Sequence, residues 1–205
     1  MKRGLTIITM IFLLGLSAAG KSPSRVSPRI TFGCQWDSCG TFLTGINQYF
    51  YAPEGFREQI RGNYITYISN GESAVNFGYN FNDNWNLSLY IGYTAIGEYH
   101  HAIPVSLRTT RYFGDNPLKD RWFSFIDLGS GVSIKSHPQE IFTGKIGGGY
   151  RMSLSKYTKL DFIMSLRTIY TYPDLIYYNE IIPDIDISRN YGYVCSLCFG
   201  IGVTF

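Results

Sequence analysis

The chain has 205 residues, with 18 Lys and Arg against 15 Asp and Glu, and a formal net charge of +3 at pH 7. That balance disfavours a basic nucleic-acid binder, so no nucleic-acid partner is expected. Aromatic residues make up 17% and charged residues only 16%, against the roughly 25% charged residues of a soluble globular domain, so the chain is short of solubilising surface.

In chain order, residues 1–19 have the three parts of an export signal: Lys2 and Arg3, the apolar run Leu5 to Leu16, then Ser17, Ala18 and Ala19. Their removal takes away two of the basic residues and no acid, which leaves the remainder close to neutral. No later stretch reaches the ~18 to 20 apolar residues of a spanning helix. Residues 20–39 are expected to form an N-terminal periplasmic arm, since Ser22 to Arg29 is rich in Ser, Pro and basic residues. Cys34 and Cys39 fall in this arm, where they either bridge locally in an oxidising compartment or remain free thiols.

From Gly40 to Phe205 the chain divides into eight period-2 segments separated by turn residues. The first spans about Phe42 to Phe50. The next two form a hairpin from Val75 to Ile91 around Asn82-Asp83-Asn84. Pairing Phe81 with Trp85 sets Tyr79, Phe77 and Val75 against Leu87, Leu89 and Ile91 on one face, and Asn80, Gly78 and Asn76 against Asn86, Ser88 and Tyr90 on the other. One register thus sorts an apolar face from a small or polar one.

Segments at Ile103 to Tyr112 and Trp122 to Ile134 follow. A second hairpin runs from Phe142 to Tyr170 around Ser155-Lys156-Tyr157. Pairing Leu154 with Thr158 places Arg151 opposite Asp161 on its polar face and Lys145 opposite Arg167. The latter pair is repulsive and needs an acid nearby; Asp127, of the same parity on the neighbouring segment, is the candidate. The last segment, Tyr191 to Phe205, alternates strictly. Its Cys195 and Cys198 therefore project from opposite faces, which argues against a shared metal site or a redox Cys-x-x-Cys pair.

The polar face consists of Gly, Ser, Asn and Thr with isolated charges, the composition of a narrow filled interior and not of a wet sandwich face. Trp85, Tyr79, Tyr150, Tyr170 and Tyr191 fall toward segment ends, as interfacial girdles do. With Phe205 at the periplasmic side, the turns at Asn82 to Asn84 and Ser155 to Tyr157 are short, while Tyr51 to Gly71 and Thr171 to Asn190 are long external connections. The expected fold is all-β: an eight-stranded antiparallel up-and-down transmembrane β-barrel over residues 40–205.

The chain resembles small eight-stranded outer-membrane barrels of the OmpA/OmpX type, in particular those of Bacteroidetes. The residues that carry the likeness are Gly200-Ile201-Gly202-Val203-Thr204-Phe205, the run from Gly78 to Trp85, and Gly147-Gly148-Gly149-Tyr150-Arg151. The resemblance implies that the barrel-assembly machinery reads the terminal Phe205 and that outer-membrane lipid surrounds the barrel. It does not assign an activity.

Glu98, His100 and His101, with Ser133, Ser136 and His137 on the next connection, are the nearest grouping to a hydrolytic triad, and they lack a recognisable triad pattern. Arg108, Asp127, Lys145, Arg151, Asp161 and Arg167 are expected to form a salt-bridged charge network in the lumen instead of a selectivity ring. No cofactor or metal is implied. The reading is a non-enzymatic integral outer-membrane scaffold whose loops meet an external ligand that the sequence does not name. Its alternatives are an outer-leaflet lipid-modifying enzyme and a narrow port for a small molecule.

Deleting Phe205 or replacing it with Asp should sharply lower the amount of chain inserted in the outer membrane, while Thr204→Ser, on the opposite face of the same strand, should leave it unchanged. Equal levels for the two variants in membrane fractions would contradict the facing assigned to the last strand.

Overall fold

The computed structural model describes residues 27–51, 57–96, 100–114, 116–134, 139–171, 175–177, 180–182 and 191–205. The expected signal segment lies outside them, as do Glu98, Ser136, His137 and Asp174. Eight strands close into a barrel: β1 (Ile30–Tyr51), β2 (Arg57–Asn80), β3 (Trp85–Ile96), β4 (His100–Tyr112), β5 (Arg121–Ile134), β6 (Glu140–Ser153), β7 (Lys159–Thr171) and, last in the chain, β10 (Tyr191–Thr204). Two short strands, β8 (Leu175–Tyr177) and β9 (Glu180–Ile182), pair with each other between β7 and β10. Every strand of the barrel runs antiparallel to both neighbours, and β10 closes the ring against β1.

Both hairpin registers read from the sequence are present. Asn80 faces Asn86, Phe77 faces Leu89 and Val75 faces Ile91; Arg151 faces Asp161 and Lys145 faces Arg167. Turn chemistry explains the first: Asn82 Oδ1 accepts from the backbone N–H groups of Asn84 and Trp85, both at 2.9 Å, which closes the loop before pairing resumes. In the second, Ser155 Oγ accepts from the amides of Tyr157 and Thr158. The β4–β5 turn reverses through Gly114, whose φ of 105° favours a residue without a Cβ.

The structure corrects three expectations at the N-terminal side. The barrel begins at Ile30, so residues 30–39 belong to β1 and not to a periplasmic arm: from Gly33 onward they pair with β10, and from Ile30 with β2. Residues 57–71, expected in a long connection, are strand and pair with β1 alone, because β2 meets β3 only from Glu72 onward. A bulge between Thr41 and Leu43 accompanies the extension of this hairpin beyond the rest of the wall.

The third correction concerns the disulfide. Cys34 and Cys39 are five residues apart, so they project from opposite faces and do not bond; Cys34 is a free, exposed thiol. Cys39 instead bonds Cys198, which it faces across the β1–β10 seam with a Cα–Cα distance of 4.0 Å. Both sulfurs are buried inside the barrel, while Cys195 projects outward and is free. The same seam carries reciprocal backbone hydrogen bonds between Phe32 and Phe205 and a stacked pair of their rings at 5.2 Å.

The Cys39–Cys198 bond joins residues 159 apart in sequence, so its removal should cost roughly 2 to 4 kcal/mol through the entropy it withholds from the unfolded chain. Urea unfolding in detergent of the oxidised chain against a Cys39→Ser, Cys198→Ser variant measures this. A peptide map showing Cys34 bridged to Cys39 would contradict the seam assignment.

Candidate functional site: the lumen

Alternation divides the side chains into two populations. Phe32, Phe77, Leu89, Leu107, Ile126, Ile146, Phe162, Leu166 and Phe199 face outward and are exposed. An exposed apolar surface this extensive is a lipid-facing belt, since a closed barrel leaves no other apolar medium to cover it. Inward-facing residues are buried in three layers.

Nearest the short turns, Arg151 forms a bidentate pair with Asp161, Nε to Oδ1 at 2.7 Å and Nη2 to Oδ2 at 2.6 Å. The guanidinium groups of Arg151 and Arg121 both lie over the Tyr112 ring, at 4.4 and 4.2 Å. Arg121 also donates to the Asp83 carbonyl at 2.6 Å, and Thr204 Oγ1 is 3.4 Å from the Asp161 carboxylate.

The middle layer is a continuous chain of charge. Asp127 Oδ2 accepts from Arg108 Nε at 3.0 Å and from Nη2 at 2.9 Å. Arg108 Nη1 donates to Gln35 Oε1 at 2.7 Å, and Gln35 Nε2 donates to both oxygens of Asp37. Asp37 takes a 3.1 Å bond from Lys145, which also bonds Glu72. The second oxygen of Glu72 accepts from Arg167 Nη1 at 3.0 Å, and that nitrogen reaches Thr94 Oγ1 at 2.7 Å.

Three cations thus meet three carboxylates, all nine-tenths or more buried, so no net charge is left in this layer. The Arg108 guanidinium is held between the rings of Tyr90 and Phe125, at 3.9 and 4.3 Å from their centroids. Space is made by small residues: a Cβ at Gly200 would overlap the Asp37 carboxylate, and one at Gly149 would meet the Phe123 ring.

Beyond the charges, Ile96, Ala102, Ile141, Ile169 and Val194 form an apolar cluster across the lumen. Between the first two layers a cavity of about 20 Å³, lined by Tyr90, Arg108, Arg151 and Asp161 among others, has room for about one water molecule.

All six lumen charges expected from sequence face inward and are buried. Arg151 and Asp161 pair as anticipated. Asp127, expected to neutralise Lys145 and Arg167, is committed to Arg108, its register partner on β4. Lys145 and Arg167 are neutralised instead by Glu72 and Asp37, acids absent from the sequence reading because Asp37 lay in the expected arm and Glu72 fell between the connection ending at Gly71 and the segment starting at Val75. Recognising that β1 starts at Ile30 would have given Asp37 inward parity.

Of the grouping of histidines and serines, His101 and Ser133 are described, and they lie on opposite faces of the wall: the His101 ring stacks outward on Tyr93 at 5.4 Å, while buried Ser133 accepts a 3.0 Å bond from the Gln139 amide inside. No Ser–His pair forms among the described residues.

No protein-family model and no curated protein matches the chain. Its fold is similar to solved outer-membrane barrels. The outer membrane protein OprG from Pseudomonas aeruginosa is 12% identical, with 89% of this chain and 99% of that chain covered and a TM-score of 0.47. Neisserial surface protein A is 11% identical, with 85% and 97% covered and a TM-score of 0.45. The N-terminal β-barrel domain of Pseudomonas aeruginosa OprF is 16% identical, with 84% and 97% covered and a TM-score of 0.43. A closed antiparallel ring with an apolar exterior and a polar, filled interior is itself the architecture of an integral outer-membrane β-barrel, and the chain is one.

Because Glu72 carries the only carboxylate in contact with Arg167 among the described residues, Glu72→Gln should destabilise the barrel by roughly 3 kcal/mol. Glu140→Gln, at an exposed position, should stay within about 0.5 kcal/mol. Arg151→Ala and Asp161→Ala should each be costly, and the double variant should cost less than their sum, since removing both spares the second uncompensated charge. Unfolding in detergent or lipid measures all five variants, and strict additivity of the Arg151/Asp161 pair would contradict their burial as partners.

Proposed function

We propose that the protein is a non-enzymatic, non-conducting scaffold of the outer membrane that presents the projecting β1–β2 hairpin to the exterior. The single observation that carries this reading is the lumen: the charges of its middle layer are spent on one another, and the apolar cluster of Ile96, Ala102, Ile141, Ile169 and Val194 lies across it. Neither a small-molecule port nor a polar reaction chamber fits in that space. What remains available for contact is the outside of the wall.

The hairpin supports a contact role. Above Glu72, β2 shows no pairing with β3 among the described residues, so the hairpin stands out as a two-stranded ribbon. Ile65 and Tyr67 there are 93% and 87% exposed, and Tyr64 is also exposed. Apolar side chains held this far out on a two-stranded ribbon suit recognition of a surface or an external ligand. Orientation follows from the tight turns: with them and Phe205 on the periplasmic side, where the assembly machinery acts, the hairpin is external.

The chain reconstituted in planar bilayers should show no stepwise conductance, and unheated and heated samples should differ in gel mobility, as closed barrels do. Replacing Ile65 and Tyr67 together with Ser should leave both properties intact and abolish any surface contact made by whole cells carrying the protein. Discrete conductance steps would overturn the scaffold reading in favour of a port.

A further inference from the structure

The lipid-facing belt thins over β1 and β2. Between Trp36 and Phe42 the outward positions of β1 are only Ser38 and Gly40, and between Tyr67 and Val75 those of β2 are Ser69, Gly71 and Ser73. Ser38 faces Gly71 and Trp36 faces Ser73. Trp36 itself is 55% exposed and stands two outward positions in from Phe32, away from the strand ends where indoles ordinarily collect.

Its ring leans over Gly71, with Nε1 3.9 Å from where a Cβ would stand. That lean takes the ring away from Cys34 and leaves a groove of about 420 Å³, floored by Cys34, Ser73 and Val75 and bounded by Trp36, Ile91 and Val203. No charged side chain lines it. The groove belongs to the half of the belt nearer the short turns, because Cys34 pairs with Val203 and Val75, one outward step in from the stacked Phe32 and Phe205.

We propose that this groove is a binding site for one acyl chain of a phospholipid from the leaflet on the short-turn side. The inference rests on the membrane placement given above. The groove is continuous with the belt that faces the bilayer, so the molecules that reach it are lipid chains. An apolar cleft with a tilted indole as one wall gives a chain contact on several sides, where a flat wall gives contact on one. Packing of this kind supplies affinity inside a membrane, where the hydrophobic effect between protein and lipid tails does not. A chain so held is retained through extraction, while its neighbours exchange with detergent.

Two native thiols allow a direct test. Cys34 lies on the groove floor, and Cys195, outward on β10 but outside the groove, is a built-in control. The full chain is purified from membranes in mild detergent and its bound phospholipid is counted by mass spectrometry. The unsubstituted protein should keep about one molecule, and Ser73→Phe, which fills the groove, about tenfold less, because the acyl chain loses its packing contacts with the groove walls. Ser130→Phe, outward on β5 at a distance from the groove, should keep as much as the unsubstituted chain.

Equal retention by Ser73→Phe, or none by the unsubstituted chain, overturns the proposal. A dimer that Ser73→Phe abolishes does so as well, by making a second copy the occupant. Gel mobility before and after heating, recorded for every sample, separates this outcome from failure of the membrane reading, in which the unsubstituted chain would show no shift. Should Ser73→Phe alone fail to fold, alkylation of the unsubstituted, delipidated chain by N-ethylmaleimide decides. Adding phosphatidylethanolamine should slow Cys34 about tenfold and leave Cys195 unchanged, and equal slowing of both thiols overturns the site.

Discussion

Pairing of charge inside a narrow cylinder filled mainly by side chains governs this structure. An eight-stranded barrel has an interior just wide enough for side chains to fill, and the cations of its middle layer find their carboxylates there too. Glu72 is the centre of that pairing, since its two oxygens hold Lys145 and Arg167, a cross-strand pair that would otherwise repel. The glycines and serines on the inward face follow from the same constraint: Gly200 gives way to the Asp37 carboxylate, and Ser196 sits 3.5 Å from Arg167.

Closure adds a second demand, that the first and last strands meet in register. The seam meets it with a covalent bond inside, Cys39 to Cys198, and an aromatic stack outside, Phe32 on Phe205. Register at this seam and pairing in the lumen are linked. Asp37 lies two residues from Cys39 on the same inward face of β1, so a slip of one residue would turn both toward lipid. The disulfide therefore fixes the strand that supplies one of the three acids of the middle layer.

Much of this was legible in the sequence where alternation is sharp. The hairpins at Asn82 and Ser155 carry large apolar residues on one face and small polar ones on the other, and their registers follow residue by residue. Strand β1 was harder, because its outward face mixes Cys34, Trp36, Ser38 and Gly40 while its inward face holds Gln35, Asp37 and Cys39, so neither face announces itself. Glu72 stands in Asn70-Gly71-Glu72-Ser73, which reads as a turn by composition but pairs as strand with both neighbours. The Cys39–Cys198 bond, 159 residues apart, is beyond any spacing rule and follows only from placing the two strands side by side. The histidines and serines near the β3–β4 and β5–β6 connections drew attention by type alone, and alternation sends His101 and Ser133 to opposite faces.

The central proposal is that a layer of charge neutral by mutual pairing closes the lumen. An experimental structure in a lipid nanodisc, resolved well enough to show ordered water, tests it most directly. The account predicts Glu72 bridging Lys145 and Arg167, Asp127 on Arg108, and at most isolated waters between the layers. A continuous file of water past Arg108 and Arg167, with Glu72 facing that file, would contradict it.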